Sequence, residues 1–505
     1  MCFVHGKLQS MSAKSLILVT VDCLRADHVG FLGYSRPTTP FIDSLTKESF
    51  VVPNAIVGGV PTYYSFPALL ASRHPLALGR DVIGLAPGET TLPSHLKQCG
   101  FTTACFSAAN PYLSLPFGYD QAFDVFQDFL SPYSGTEMPY GNGGSNGLRR
   151  NLNRVIERVC RRLGPIGKLY GELYFQYCLY SSPRARIDSL RPFPAADFVV
   201  DAACEWLKTV NSQPFFLWLH LMDPHAPHYP AEAALQALGA RSVSAFRARY
   251  LNAYWNRSDL EPAVWRKNRD AVVELYDAGI RWVDLQMARL VQRLQDLALW
   301  DGCAFAFTAD HGEEFLEHGA RFHAPWTMKE ELIRVPLLVR IPGVTGGRVS
   351  ETPFSHVDLA PTLVNSLGLP VPSSFRGQSL WRKWRDREAW EHPAVVDSTE
   401  CFTPSRPETR GASRVLCVRE SRYKLIFRMG TGTDELFDLQ TDPGETSPLP
   451  DSVEKAVRRR LLEHARQHLQ NTMRDINLEQ RLRGRLRDLK LSLSNAAPRA
   501  GAAVV

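Results

Sequence analysis

Cys303 to Phe307 is apolar at every position, bounded by polar residues, and runs straight into Thr308-Ala309-Asp310-His311-Gly312-Glu313. Short uninterrupted apolar runs mark strands buried on both faces, as in a parallel sheet covered by helices. The acid and the imidazole therefore fall at the strand's carboxyl end, where open α/β sheets place their ligands. Asp310 offers a hard oxygen and His311 a nitrogen to one cation. Gly312 is expected to let the backbone come close to whatever is bound.

The same pattern recurs twice. Ser15 to Val21 is a β-rich run ending in Asp22, and Phe215 to Leu221 runs into Met222-Asp223-Pro224-His225-Ala226-Pro227-His228. Two strands thus deliver acids, and one delivers histidines, to a single edge. Between them, Gly58-Gly59-Val60-Pro61 is a tight loop leading to Thr62 and Ser65. Ser65 reads as a helix N-cap ahead of Pro67, which places both hydroxyls at a helix amino terminus, a site that favours anions.

The remaining pattern supports an α/β fold with a mostly parallel central sheet, flanked by helices and joined to a smaller C-terminal α+β domain. Phe101 to Ser107 and Val335 to Ile341 read as strands, Glu89 to Lys97 as a capped helix, and Ala271 to Leu297 as a long helix. A further helix begins at His356. Past residue 400, Arg414 to Val418, Tyr423 to Arg428 and Glu435 to Leu439 read as short antiparallel strands before a helix at Val453 to Gln470. The expected division is an extension over 1–14, a catalytic domain over 15–395 with an insertion near 131–195, an α+β subdomain over 396–475 and a basic tail over 476–505.

With 505 residues and 44% hydrophobic content, the chain can bury a core of full size. A net charge of +6 is small for this length, so a nucleic-acid partner is not expected. The ten cysteines lie far apart with no Cys-x-x-Cys, which suggests reduced thiols in a cytoplasmic protein. The apolar run at Leu16 to Val21 is too short for a membrane span and lacks the features of a secretory signal. Over 148–163, Leu148, Leu152, Val155, Ile156, Val159 and Leu163 alternate with arginines at helical spacing. That basic amphipathic helix either meets a membrane surface or packs on the domain with a solvated basic face.

Collected at one edge, Asp22, Thr62, Asp310 and His311 supply two carboxylates, a hydroxyl and an imidazole, a shell suited to one divalent cation. His225 and His323 stand nearby in the same expected crevice, where they would hold an anion's oxygens or protonate a leaving group. A cation there would lower the pKa of the Thr62 hydroxyl and neutralise charge on a transferred group.

The blocks Val21-Asp22-Cys23-Leu24-Arg25-Ala26-Asp27, Pro61 to Leu70, Met222 to Pro227, Asp310-His311-Gly312-Glu313 with Glu317-His318-Gly319, and Asp358 to Thr362 occur in an order that resembles the sulfatase branch of the alkaline phosphatase superfamily. Tyr423 to Ile426 and Glu435 to Glu445 are similar to the closing segment of such proteins. The resemblance implies an alkaline-phosphatase-like fold and a metal-dependent esterase. It makes Asp22, Asp310 and His311 metal ligands, puts Thr62 at the nucleophile position, and gives His225 and His323 the anion or the leaving group. Sulfatases proper carry a cysteine or serine that becomes formylglycine, two residues before a proline and four before an arginine. Here those places hold Thr62, Tyr64 and Phe66. Threonine there, with Asp-His as the late metal pair, is similar to phosphodiesterase, phosphonate hydrolase and phosphoglycerol transferase relatives. Manganese or zinc is therefore favoured over calcium or magnesium, and Cys23, at a place where many sulfatases have a second metal-binding aspartate, counts against a calcium site of four oxygen-rich ligands.

The expected activity is hydrolysis of a sulfate or phosphate ester, on a small molecule or on a sulfated or phosphorylated glycan. Transfer of a phospho-group to a glycan or lipid acceptor is one alternative. An inactive anion-binding protein on the same fold is the other.

Overall fold

The computed structural model describes residues 13–77, 83–130, 173, 186–210, 214–240, 243–399 and 414–474. Residues 1–12, the Ser131 to Asn146 stretch, the basic helix expected over 148–163 and the tail from 476 lie outside the described residues. The first eleven strands are β1 (Ser15–Val21), β2 (Ser49–Ile56), β3 (Thr102–Ser107), β4 (Val125–Gln127), β5 (Phe215–Leu221), β6 (Cys303–Ala309), β7 (Glu314–Phe315), β8 (Arg321–Phe322), β9 (Arg334–Arg340), β10 (Gly347–Arg348) and β11 (Phe354–Ser355). Nine of them form one sheet in the order β10-β2-β9-β6-β1-β5-β3-β4, with β11 also on β2, while β7 and β8 make a separate hairpin. Within the described nine-stranded sheet only β9 runs against its neighbours; β1 is parallel to both β5 and β6.

Register fixes the site. Val21 is level with Leu221 on one side and with Ala309 on the other. Asp22, Met222 and Asp310 therefore leave the sheet at one height, as the sequence pattern requires. β1, β5 and β6 are buried at every position, which is why each reads as an apolar run and not as an alternation.

Helices cover both the sheet and the site. They include α1 (Thr62–Ala71), α2 (Leu92–Gln98), α3 (Ala196–Leu207), α4 (Pro262–Asp296), α5 (Leu359–Ser366) and α6 (Lys455–Arg474). The long helix starts nine residues before Ala271, at Pro262, because Glu261 precedes a proline suited to the first helical turn. α2 begins at a capping box: Ser94 N donates to Thr91 Oγ1 at 3.2 Å, and Thr91 N donates to Ser94 Oγ at 2.7 Å.

Ser65 is not the cap of α1. The helix begins at Thr62 after Pro61, so Ser65 lies within its first turns and Pro67 in its interior. Its hydroxyl instead donates to the Asp310 carbonyl at 2.6 Å and ties the helix to the end of β6. Nor does Gly312 make room for a ligand. A Cβ there would stand 1.9 Å from the Glu331 carbonyl oxygen, because the Gly312 and Glu313 amides donate to Leu332 and Glu331 across that approach.

A second, antiparallel sheet follows in the order β12 (Ala394–Thr399), β13 (Arg414–Arg419), β14 (Tyr423–Arg428) and β15 (Thr433–Asp438), and α6 packs on it through Val457, Leu461 and Ala465. Among the described residues no helix is long and apolar enough to cross a membrane.

Candidate active site

The carboxyl ends of β1 and β6 and the amino terminus of α1 converge on one cup. Asp22, Asp310 and His311 are fully buried there, and Thr62 is 6% exposed. His311 Nε2 lies 3.8 Å from Asp22 Oδ1, 3.6 Å from Asp310 Oδ2 and 3.2 Å from Thr62 Oγ1. The other ring nitrogen, Nδ1, sits 2.9 Å from the Gly312 carbonyl, which can only accept. That contact assigns the proton to Nδ1 and leaves a bare lone pair on Nε2, facing the acids.

Electrostatics distinguish the two carboxylates. Burial and the nearby Asp22 raise the Asp310 pKa, opposed more weakly by His220 and the Thr62 hydroxyl. Burial also acts to raise Asp22, but His225, a hydrogen bond from His220, and His311 outweigh it and hold Asp22 well below the ordinary carboxylate range. Burial and His323 push His311 down to about 4, so its imidazole is neutral. Asp310 Oδ2 is buried with no hydrogen bond of ordinary geometry. Two buried acids, a neutral imidazole with its lone pair turned inward and an unpartnered oxygen fit a divalent cation, which relieves the repulsion and satisfies the oxygen. The donors that could hold it are Asp22, Asp310, His311 and Thr62.

His225 and His323 border the cup from its partly exposed side. Their ring centroids are 5.5 Å apart, and His323 is 4.7 Å from His311. The structure thus brings together all six residues expected at the site.

Other members escaped the sequence reading. Asn110 Nδ2 donates to Asp22 Oδ2 at 2.8 Å, and His220 Nε2 stands 3.5 Å from the same oxygen. Asn110 follows the carboxyl end of β3, so the rule that found Asp22 could have found it. His220 lies inside an all-buried strand, where no alternation tells which way a side chain points. Glu313 Oε2 meets His323 Nδ1 at 3.1 Å. Arg25 is a brace: it donates to the Glu313 carbonyl at 3.0 Å, to Glu317 at 2.7 Å and to Asp27 at 2.7 and 2.8 Å. Asp223, expected at the strand end beside His225, pairs with Arg191 at 3.2 Å instead of entering the cup.

A family model described as Sulfatase matches residues 14–369, and one described as the C-terminal region of N-sulphoglucosamine sulphohydrolase matches residues 317–474. An arylsulfatase of Clostridium perfringens is 22% identical over 482 residues, covering 87% of this chain and 91% of that protein. A solved structure of a protein in complex with its substrate D-glucosamine-2-N,6-O-disulfate superposes with a TM-score of 0.66 at 18% identity, over 91% of this chain and 98% of that one. The phosphonate monoester hydrolase of Agrobacterium radiobacter superposes at 0.62 and 18% identity, over 92% and 96%. With the matched region spanning the β1 acid, the α1 threonine and the β6 Asp-His pair, this chain belongs to the sulfatase family.

Proposed function

We propose that this chain hydrolyses a sulfate ester carried by a glycan, with Thr62 as the nucleophile and one divalent cation, manganese or zinc, held by Asp22, Asp310 and His311. The observation that carries the reading is the placing of Thr62 Oγ1 beside His311 Nε2, at the first position of a ten-residue helix and within the cup of two buried acids. The glycan class is supported by the glucosamine disulfate bound to a fold relative and by the match to a sulphohydrolase C-terminal region.

A bound cation supplies positive charge that makes the hydroxyl more acidic and offsets charge on the ester. The amino terminus of α1 favours the alkoxide in the same sense. Thr62 Oγ1 loses its proton to solvent and forms a bond to sulfur as the bond from sulfur to the alcohol oxygen breaks. His225 and His323, on the open side, hold the non-bridging oxygens and supply a proton to the departing alcohol. Water cleaves the threonine ester and releases the oxyanion. Asn110 and His220 keep Asp22 ionised and oriented through its Oδ2.

A phosphate or phosphonate ester is the second reading, favoured by one observation: Thr62 cannot be oxidised to the formylglycine of sulfatases proper. Assays with 4-nitrophenyl sulfate, 4-nitrophenyl phosphate and bis-4-nitrophenyl phosphate, with manganese or zinc added, discriminate between them. Turnover of the sulfate that disappears in Thr62→Ala is the expected result. Turnover of the phosphates alone supports the second reading. Binding of a cation and an oxyanion with no turnover of any ester reduces the chain to an anion-binding protein.

A further inference from the structure

Beyond the helix that carries Thr62 lies a second concave site. α1 is ten residues long, so its far end stands about 15 Å from the nucleophile. There a cavity of about 550 Å³ opens between the turn after α1, the segment before β12 and the side of α6. Pockets of that size take small molecules.

The lining is rich in imidazoles. His74, His392, His464 and His468 all face the cavity, and Arg376 adds a guanidinium at its exposed mouth. The rings of His74 and His468 stand 4.4 Å apart and nearly perpendicular, and His74 Nδ1 is buried with no hydrogen bond of ordinary geometry. His468 Nε2 meets Asp397 Oδ2 at 3.0 Å, but that one carboxylate also takes Arg414. Bases therefore outnumber acids here, the reverse of the cup.

The remaining acids do not restore the balance. Glu463, beside His464 on α6, is paired with Arg466. Asp358 accepts from the Gln378 amide at 2.8 Å, and burial pushes it up to about 7, so it is largely protonated in mildly acidic solution. Burial and then His464 lower His392, while burial and then His468 push His74 down to about 3. Each pair of rings resists carrying two charges at once unless an anion joins them. Nor are the rings set for a metal. Among the described residues, trios of ligating side chains with donor atoms within 4.8 Å of one another occur at the cup, where Cys23 groups with His225 and His323, and not here.

We propose that this cleft is a second ligand site, for a small molecule bearing a dianionic oxyanion, sulfate or phosphate, either free or esterified on a sugar. His464 and His468 bind it as imidazolium ions, His74 as a neutral donor at the floor, and His392 and Arg376 from the mouth. An anion in the cleft raises the pKa of each imidazole it touches, so binding takes up protons and strengthens as pH falls. The inference does not rest on the esterase reading.

Equilibrium dialysis of the full-length chain against radiolabelled sulfate tests this, because sulfate keeps its charge across the range in which imidazoles titrate. Sulfate bound at about pH 6 should weaken at least about tenfold by about pH 8. His464→Gln should weaken it by about tenfold or more at about pH 6, whereas His225→Gln, at the cup, should leave it in place. Glucosamine 6-sulfate separates the two sources: binding tighter than that of sulfate, and equally sensitive to His464→Gln, assigns the cleft to an esterified anion, and weaker binding assigns it to the free ion. Melting curves confirm that His464→Gln is folded; if it is not, His392→Gln at the exposed mouth takes its place. Sulfate that is lost in His225→Gln and unaffected by His464→Gln lies in the cup alone and overturns the proposal. So does binding that does not change with pH, or binding of neither probe at about pH 6. Zinc held by wild type and released by His464→Gln, with neither anion bound, overturns it in favour of a metal site.

Discussion

At the seam with the four-stranded sheet, Asp397 is bridged by Arg414 and met at 3.0 Å by His468 Nε2, while Lys424 Nζ stands 3.3 Å from Glu330 and 2.8 Å from Glu445. At the carboxyl edge of the large sheet, Asp22, Asp310 and Glu313 are just as buried, yet their neighbours are imidazoles, a thiol and an amide. The seam completes its charges with arginine and lysine, which stay protonated at any physiological pH. The edge leaves one oxygen each of Asp310 and Glu313 without a hydrogen bond. Buried charge that the chain neutralises itself holds the structure together. Charge left to be neutralised from outside marks a binding site.

The comparison breaks most visibly on activity. Thr62→Ala should lower ester hydrolysis by at least about 10³-fold, with no loss of bound cation beyond the weakening expected from one lost donor. Asp310→Asn should abolish activity as well, but should leave the metal-free protein as stable as wild type or more so, because it removes a like charge beside Asp22. Lys424→Met should do the reverse: a loss of about 3–5 kcal/mol in denaturant melts, because Glu330 and Glu445 are left buried without their shared cation.

A pH series sharpens the same contrast. Burial alone would raise Asp397, but Arg414 and His468 outweigh it and hold its pKa well below the ordinary carboxylate range. Its folded value lies below its unfolded one, so the stabilisation is complete above the unfolded value of about 3.9 and is lost as pH falls below it. Asp397→Asn should flatten that acid limb of the stability curve. Asn110→Ala, which removes one hydrogen bond to Asp22, should weaken cation affinity by about 10–100-fold in a competition titration. The smallest effect is expected far from either cluster: Thr91→Ala deletes the cap of α2, at about 1 kcal/mol, with hydrolysis unaffected.

The edge was far more legible than the seam. Asp22, Asp310 and His311 each follow an apolar run, and parallel strands carry whatever follows them to the same side. Thr62 is legible from its loop and from family resemblance, whereas Ser65 imitates a cap: a serine near a proline looks like one, and here the helix has already begun. At the seam, the Glu330 carboxylate meets Arg419 and Lys424 and its amide donates to Glu445, a grouping created by two sheets packing and encoded by no spacing along the chain.

By itself the sequence determined the long buried strands, the edge to which they run and the six residues expected there, because burial on both faces writes an unbroken apolar run and the strand's end fixes the position of the next side chain. Only the tertiary structure decided that His220 and Asn110 orient Asp22, that Gly312 serves a backbone contact, and that Cys23 faces two histidines. Those facts depend on side-chain direction and on the register between distant strands, which a one-dimensional pattern does not contain.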